Sequence, residues 1–273
     1  MPEGPEIRLA ADRVANVLLN QTVEAVSFGL QPLRRFEKRL SGHRVTAVDT
    51  HGKAMLTRFD NGLTLYSHNQ LYGRWYTARR PRLPNTPRQL RVALHTQTHS
   101  ALLYSASDIA VLSDRQISEH PFLARLGPDI LDRSLTKSQI AERLVLPRFR
   151  NRALGSLYLD QSFLAGNGNY LRAEILWAAG VHPSKKPSNL GASALARLAT
   201  ETLKISRRSY RTHGVTLPDA MARELRAEGA DYGNYRFYVY GREGLPCRHC
   251  GASIERGAMG SRAVFVCPAC QPF

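Results

Sequence analysis

Leu157-Tyr158-Leu159-Asp160-Gln161-Ser162-Phe163-Leu164-Ala165 runs into Gly166-Asn167-Gly168-Asn169, and Tyr170-Leu171-Arg172-Ala173-Glu174-Ile175-Leu176-Trp177 follows. Apolar residues recur at helical spacing on both sides of the glycines, which predicts helices over 154–165 and 170–180 joined by a tight turn. Glycine lets the backbone approach another molecule closely, and the first amides of the second helix form a seat for phosphate to which Asn169 can add its side-chain amide. An ordinary packing corner between two helices fits the same residues. Helical periodicity extends outward at 135–146 and 192–207, whereas 211–236 is polar, glycine-rich and without a clear pattern.

Upstream the period changes. Ile7, Ala10, Ala11, Val14, Val17 and Leu18 lie on one helical face behind Pro5, which suits a first helical turn. Strand-like pieces follow at 44–48, 55–59, 63–66, 90–94 and 101–104, and Asp60-Asn61-Gly62 between two of them is a hairpin signal. The Pro/Arg-rich run at 78–88 is expected to be a solvated loop. The fold class is therefore α+β. An N-terminal β-sandwich with a terminal helix occupies 1–115, a linker 116–133, a helical domain 134–236, and a hairpin-like tail 237–273.

Across 273 residues, 38 Lys and Arg stand against 22 Asp and Glu, a net charge of +16. An excess of this size calls for a polyanionic partner, and nucleic acid is the usual one, since its phosphates release counterions to Lys and Arg. No stretch approaches the roughly 20 apolar residues of a membrane-spanning helix. The start, Met1-Pro2-Glu3-Gly4-Pro5-Glu6, is acidic and has no apolar signal region, so no membrane partner and a cytoplasmic location are expected.

Cys247-Arg248-His249-Cys250 and Cys267-Pro268-Ala269-Cys270 give the spacing C-x2-C-x16-C-x2-C. Each pair is a two-toothed clamp and the residues between can form a hairpin, the spacing of four-thiolate zinc ligation. Four thiolates leave no position for water or substrate, so one structural zinc is expected, with His249 solvated beside it. Zinc alone does not separate DNA, RNA and protein as partners.

Proline at position 2 makes Met1 a target for removal, which exposes a secondary amine. An α-amino group titrates well below lysine, so more of it is neutral and nucleophilic, and a helix starting at Pro5 would further disfavour its protonation. Such an amine can form an iminium with a sugar carbon, in the manner of a lysine Schiff base.

Three segments together resemble the formamidopyrimidine-DNA glycosylase/endonuclease VIII family: Pro2-Glu3-Gly4-Pro5-Glu6, the helix–two-turn–helix ending in Gly166-Asn167-Gly168-Asn169, and the cysteine ribbon. The likeness runs over nearly the whole chain and is weakest at 79–89 and 211–236. Thr64-Leu65-Tyr66-Ser67-His68-Asn69-Gln70-Leu71-Tyr72-Gly73, Leu103-Tyr104-Ser105-Ala106-Ser107-Asp108 and Pro147-Arg148-Phe149-Arg150-Asn151-Arg152 are similar to the endonuclease VIII branch. The resemblance implies a bacterial base-excision repair enzyme, nucleoid-associated when bound to duplex DNA that holds damaged bases or abasic sites; nothing in the sequence suggests more than a monomer. It makes Pro2 the nucleophile, Glu3 the general acid/base, Glu6 a supporting carboxylate, and Lys53 and Arg262 the phosphate-gripping groups that assist the two eliminations. Gln70, Leu71 and Tyr72 become a wedge that fills the gap left by an extruded base, and Arg125 and Asn169 further DNA contacts. The endonuclease VIII branch implies oxidised pyrimidines as substrates. The rivals are a purine-lesion glycosylase of the same family and a zinc protein that binds damaged DNA without cutting it. Asn167 departs from the family pattern, which carries an apolar residue at that turn position.

Overall fold

The computed structural model describes residues 2–273; Met1, and with it the expected processing at Pro2, lies outside the described residues. Two compact units divide the chain, one reaching Arg125 and the other spanning Leu126–Phe273.

In the first unit, helix α1 (Gly4–Leu18) buries Ile7, Ala10, Ala11, Val14 and Leu18, the stripe that the sequence sets at helical spacing. Eight strands follow: β1 (Ala25–Phe28), β2 (Val45–His51), β3 (Ala54–Phe59), β4 (Leu63–His68), β5 (Arg74–Arg79), β6 (Leu90–His95), β7 (His99–Tyr104) and β8 (Asp108–Ser113). Short helices α2 (Glu37–Leu40) and α3 (Asp114–Ser118) flank them. The strands form two antiparallel four-stranded sheets, ordered β1-β6-β7-β5 and β2-β3-β4-β8. Val14, Leu18, Val45, Phe59, Leu65, Leu94 and Leu103 meet in one core, so both sheets and α1 share a single apolar interior. The Asn-Gly signal holds: β3 and β4 pair around Asp60-Asn61-Gly62, with Gly62 at φ +76° and the Asn61 side-chain carbonyl accepting the Leu63 N–H at 3.1 Å. Strands β1, β5 and β8 are additions to the strand-like pieces read from the sequence, and all three lie at sheet edges.

The second unit contains α4 (Lys137–Val145), α5 (Pro147–Arg150), α6 (Leu154–Leu157), α7 (Asn169–Ala178), α8 (Ala192–Arg211) and α9 (Asp219–Ala227). A hairpin of β9 (Glu255–Met259) and β10 (Arg262–Val266) follows. The single helix expected over 154–165 is not formed; α6 stops at Leu157. Asp160 accepts the Ser162 N–H at 2.8 Å through its side chain, a local bond that competes with helix. Residues 161–165 instead bond to the segment before them in space: the Gly127 N–H reaches the Gln161 carbonyl, the Ala165 N–H the Pro128 carbonyl, and the Ile130 N–H the Ala165 carbonyl. Residues 211–236 are also more ordered than their composition implies. Helix α9 lies within them, Val215, Leu217 and Ala222 form a small core, and Arg226 and Arg236 lie over the rings of Tyr235 and Tyr232 at 4.2 and 4.6 Å. Among the described residues no helix is long and apolar enough to cross a membrane.

Candidate functional site

The N-terminal residues are placed by the start of α1. Glu3 is its N-cap and Pro5 sits in its first turn. The Glu6 carboxylate accepts the Glu3 N–H at 3.0 Å, and the two residues close a capping box. Helix geometry thus fixes Glu3 immediately after the half-buried Pro2, and the Glu3 side chain is only 4% exposed. Amides at the helix N-terminus stabilise negative charge there. Glu6 is the box partner of Glu3 and stands one turn along.

Lys53 occupies the turn between β2 and β3. His51 pairs with Ala54, so Gly52-Lys53 is a two-residue hairpin loop, and Gly52 takes φ +61° at its first position. The next register pair, Ala54 with His68, brings the ends of β3 and β4 together, so Lys53 and His68 share one end of the sheet. Burial chiefly holds the His68 imidazole below its ordinary range, with Asp108 opposing and Lys53 adding to the shift. Past His68 come Gln70, Leu71 and Tyr72, all exposed; Leu71 is 56% and Tyr72 68% accessible. Arg125, the last residue of this unit, is exposed and donates to the Pro121 carbonyl at 2.8 Å.

In the second unit, Arg262 is the first residue of β10, beside the Gly260-Ser261 turn that joins it to Met259 of β9. The next residue ties this tip to α7. The Ala263 carbonyl accepts from Asn169 Nδ2 at 3.2 Å and from Arg172 Nη2 at 2.7 Å, while Arg172 also donates to Asn169 Oδ1. Asn169, read from the sequence as an outward phosphate contact, therefore spends much of its amide inside the protein, where it sets the hairpin that carries Arg262. Arg172 is almost wholly buried and was not singled out in the sequence, since an arginine within a helical run ordinarily reads as a solvated side chain. Glu174 escaped notice for the same reason. Its buried carboxylate accepts from the Thr216 hydroxyl at 2.6 Å and from the N–H groups of Tyr238, Val239 and Tyr240 at 2.8–3.0 Å, anchoring the strap that leads into the ribbon. Burial pushes its carboxyl up, against the pull of these donors.

Asn167 is fully buried, and neither its amide nitrogen nor its amide oxygen has a partner among the described residues. Its departure from an apolar residue is thus not a solvated substitution. An unsatisfied buried amide costs about 1–3 kcal/mol, so Asn167→Leu is expected to raise stability by about that amount. Thermal unfolding of the variant measures it; an unchanged or lowered Tm would mean that the amide is satisfied in solution.

The four cysteines converge as their spacing predicts. All four sulfurs lie within 4.8 Å of one another, with separations of 3.4 Å (Cys250–Cys267), 3.5 Å (Cys250–Cys270) and 3.9 Å (Cys247–Cys270). Four thiolates at about 2.3 Å from zinc in a tetrahedron sit roughly 3.8 Å apart, and a disulfide would require about 2.05 Å. The Cys270 N–H points at Cys267 Sγ at 3.4 Å, which stabilises a thiolate there. Burial raises the Cys247 thiol, but the amides of His249 and Cys250 and the neighbouring thiols outweigh it and bring it down to about 7. Burial and the adjoining cysteines push Cys267 and Cys270 up, so a cation is needed to hold all four as thiolates. The donor set fits one structural zinc. Ala173, Val239 and Ile254 supply the modest apolar cluster beside it.

Known proteins are similar to this chain over nearly its whole length. Residues 1–108 match the formamidopyrimidine-DNA glycosylase N-terminal domain, 126–220 the formamidopyrimidine-DNA glycosylase H2TH domain, and 244–272 the zinc finger found in FPG and IleRS. Endonuclease 8 of Escherichia coli O17:K52:H18 (strain UMN026 / ExPEC) is 48% identical over 271 residues, 99% of this chain and all of that protein. Endonuclease 8 of Shigella sonnei (strain Ss046) gives the same figures. Among solved structures, the wild-type Lactococcus lactis Fpg (MutM) in complex with N7-benzyl-Fapy-dG DNA superposes with a TM-score of 0.81 at 20% identity, covering both chains fully. The Lactococcus lactis Fpg complex with abasic-site DNA gives 0.80 at 20% identity, over 99% of this chain and all of that one. At that identity the structures speak for the fold, while the sequence relatives and the matched domains settle kinship: the chain belongs to the formamidopyrimidine-DNA glycosylase/endonuclease VIII family of DNA glycosylase/AP lyases.

Proposed function

We propose that the chain removes oxidised pyrimidines from duplex DNA by attack of the Pro2 amine and then cuts the abasic strand by successive β- and δ-elimination. The observation that carries this reading is the placement of Glu3, a buried carboxylate held at the start of α1 directly after Pro2. Glu3 delivers a proton to the deoxyribose ring oxygen as its bond to C1′ breaks, the amine bonds C1′, and the damaged base leaves with the proton that the amine gives up, so that an iminium remains. The iminium then acts as an electron sink: loss of a C2′ proton expels the 3′ phosphate, and a second elimination expels the 5′ phosphate. Lys53 grips phosphate and assists the first elimination, and Arg262 assists the second, its planar fork matching phosphate oxygens. Glu6 supports Glu3 through the capping box.

Exposed Leu71 and Tyr72, with Gln70, form the wedge that fills the space of the extruded base; Arg125 holds the strand, and Asn169 acts by bracing Ala263 next to Arg262. The net charge of +16 supplies the phosphate attraction. The enzyme works as a monomer on the DNA of the bacterial cytoplasm, with its zinc as scaffold. Borohydride added during turnover on abasic duplex DNA is expected to trap a covalent DNA adduct on a peptide beginning at Pro2. Processed protein that yields no adduct, or an adduct on another residue, would refute the assignment of the nucleophile.

A further inference from the structure

The turn from β4 to β5 is braced more heavily than an exposed loop requires. Gln70 adopts a left-handed backbone (φ +49°), unfavourable for a residue with a side chain. Its N–H donates to His68 Nδ1 at 3.2 Å, and its side-chain carbonyl accepts from the Ser107 hydroxyl at 2.9 Å. The Gly73 N–H donates to the Asn69 carbonyl at 2.7 Å, and a Cβ at Gly73 would stand 2.6 Å from that oxygen, so only glycine closes the turn. The low proton affinity of His68 keeps its acceptor nitrogen available. A last brace comes from the Pro/Arg-rich run, where the family likeness is weakest: the Arg88 guanidinium donates to the Tyr72 carbonyl. Arg88 is itself fixed by a bond from its N–H to Thr86 Oγ1 at 3.3 Å. Leu71 and Tyr72 are thus apolar side chains turned to solvent on a backbone tied down at both ends.

We propose that Arg88 is a positioning residue for base extrusion, holding the Tyr72 carbonyl so that Leu71 and Tyr72 stand as a preset wedge before DNA arrives. This rests on the reading of residues 70–72 as the wedge. Unstacking a base step is costly, and a wedge that had first to be ordered would add that loss of freedom to the same barrier. Arginine suits the task because its rigid fork directs a donor at a single carbonyl. Arg80 of the same run is committed elsewhere, to Glu24 and the Thr96 carbonyl.

Arg88→Met keeps the side-chain stem and removes the fork, and Arg88→Lys keeps a donor. Single-turnover excision of thymine glycol is compared in a fully paired duplex and in an unpaired bubble, alongside cleavage of a preformed abasic duplex. Arg88→Met is expected to lose about tenfold on the paired lesion and to stay within about twofold on the other two, with partial rescue by Arg88→Lys, as expected when only the unstacking step is affected. A 2-aminopurine beside the lesion should brighten more slowly with the Met variant. Equal loss on paired and unpaired substrates, or no loss on either, overturns the proposal; so does a salt dependence shallower by one phosphate contact, which would place Arg88 on the DNA backbone. Leu71→Ala separates the two readings. If it shows the paired-over-unpaired deficit and Arg88→Met does not, the clamp alone fails. If Leu71→Ala shows no such deficit, the wedge fails and the clamp with it.

Discussion

Glu3→Gln is expected to lower excision of thymine glycol from duplex DNA by about 10²–10⁴-fold, the range of a lost general acid, while cleavage of a preformed abasic site falls by no more than about tenfold. Glutamine has the shape of glutamate and retains an oxygen acceptor at the N-cap of α1, so the helix start and its box with Glu6 survive. What it lacks is a proton to give. An intact nucleoside needs that proton because its C1′ is closed, with the base still attached. An abasic sugar already samples the open aldehyde, which the proposed Pro2 nucleophile would attack without help. Replacing the N-cap carboxyl by an amide costs about 0.5–1 kcal/mol of stability, small enough for the variant to fold. Rates under single turnover on the two substrates, with Tm measured in parallel, decide the matter. An equal loss on both substrates would remove Glu3 from the role of proton donor to the nucleoside.

The second large effect is expected at the cysteines. Zinc bound by four thiolates contributes on the order of 10 kcal/mol to folding such a ribbon, and the neighbouring apolar cluster is too small to replace it. Chelation, or Cys267→Ser at the fully buried ligand, is expected to release one zinc and to unprotect the amides of residues 244–272 in hydrogen exchange. Acid should do the same, since each thiolate must take up a proton. Strand excision should fall by about a hundredfold or more, because displacement of a positioned group by as little as 1 Å costs about that much and Arg262 rides on this hairpin. The β-sandwich has its own core without a cysteine and should keep its protection. Zinc-free protein with unchanged exchange at 244–272 and full activity would show the metal to be dispensable.

Much of the fold was legible because it is written in local pattern. The stripe of α1, the Asn-Gly hairpin of β3 and β4, the periodicity of α8 and the cysteine spacing each depend on residues within a turn or a hairpin of one another. The strands that escaped are marked weakly in sequence: β1 has four residues only, β5 begins and ends in arginine, and β8 buries a single residue, Val111. The overlong helix at 154–165 shows the reverse failure. Its periodicity is real, but the Asp160 side chain and the backbone of residues 127–130 take the hydrogen bonds that a helix would have used.

The sequence by itself determined the cysteine spacing of the metal site, the basic character and the kinship of the chain with a repair family, because these rest on residue identity and spacing. Tertiary structure alone decided that the Asn169 amide braces Ala263, 94 residues away, that Asn167 is buried without a partner among the described residues, and that Arg88 grips the turn carrying Leu71 and Tyr72. A hydrogen bond satisfies one donor and one acceptor wherever the chain brings them, and periodicity over a few residues holds no record of partners that lie far along the chain.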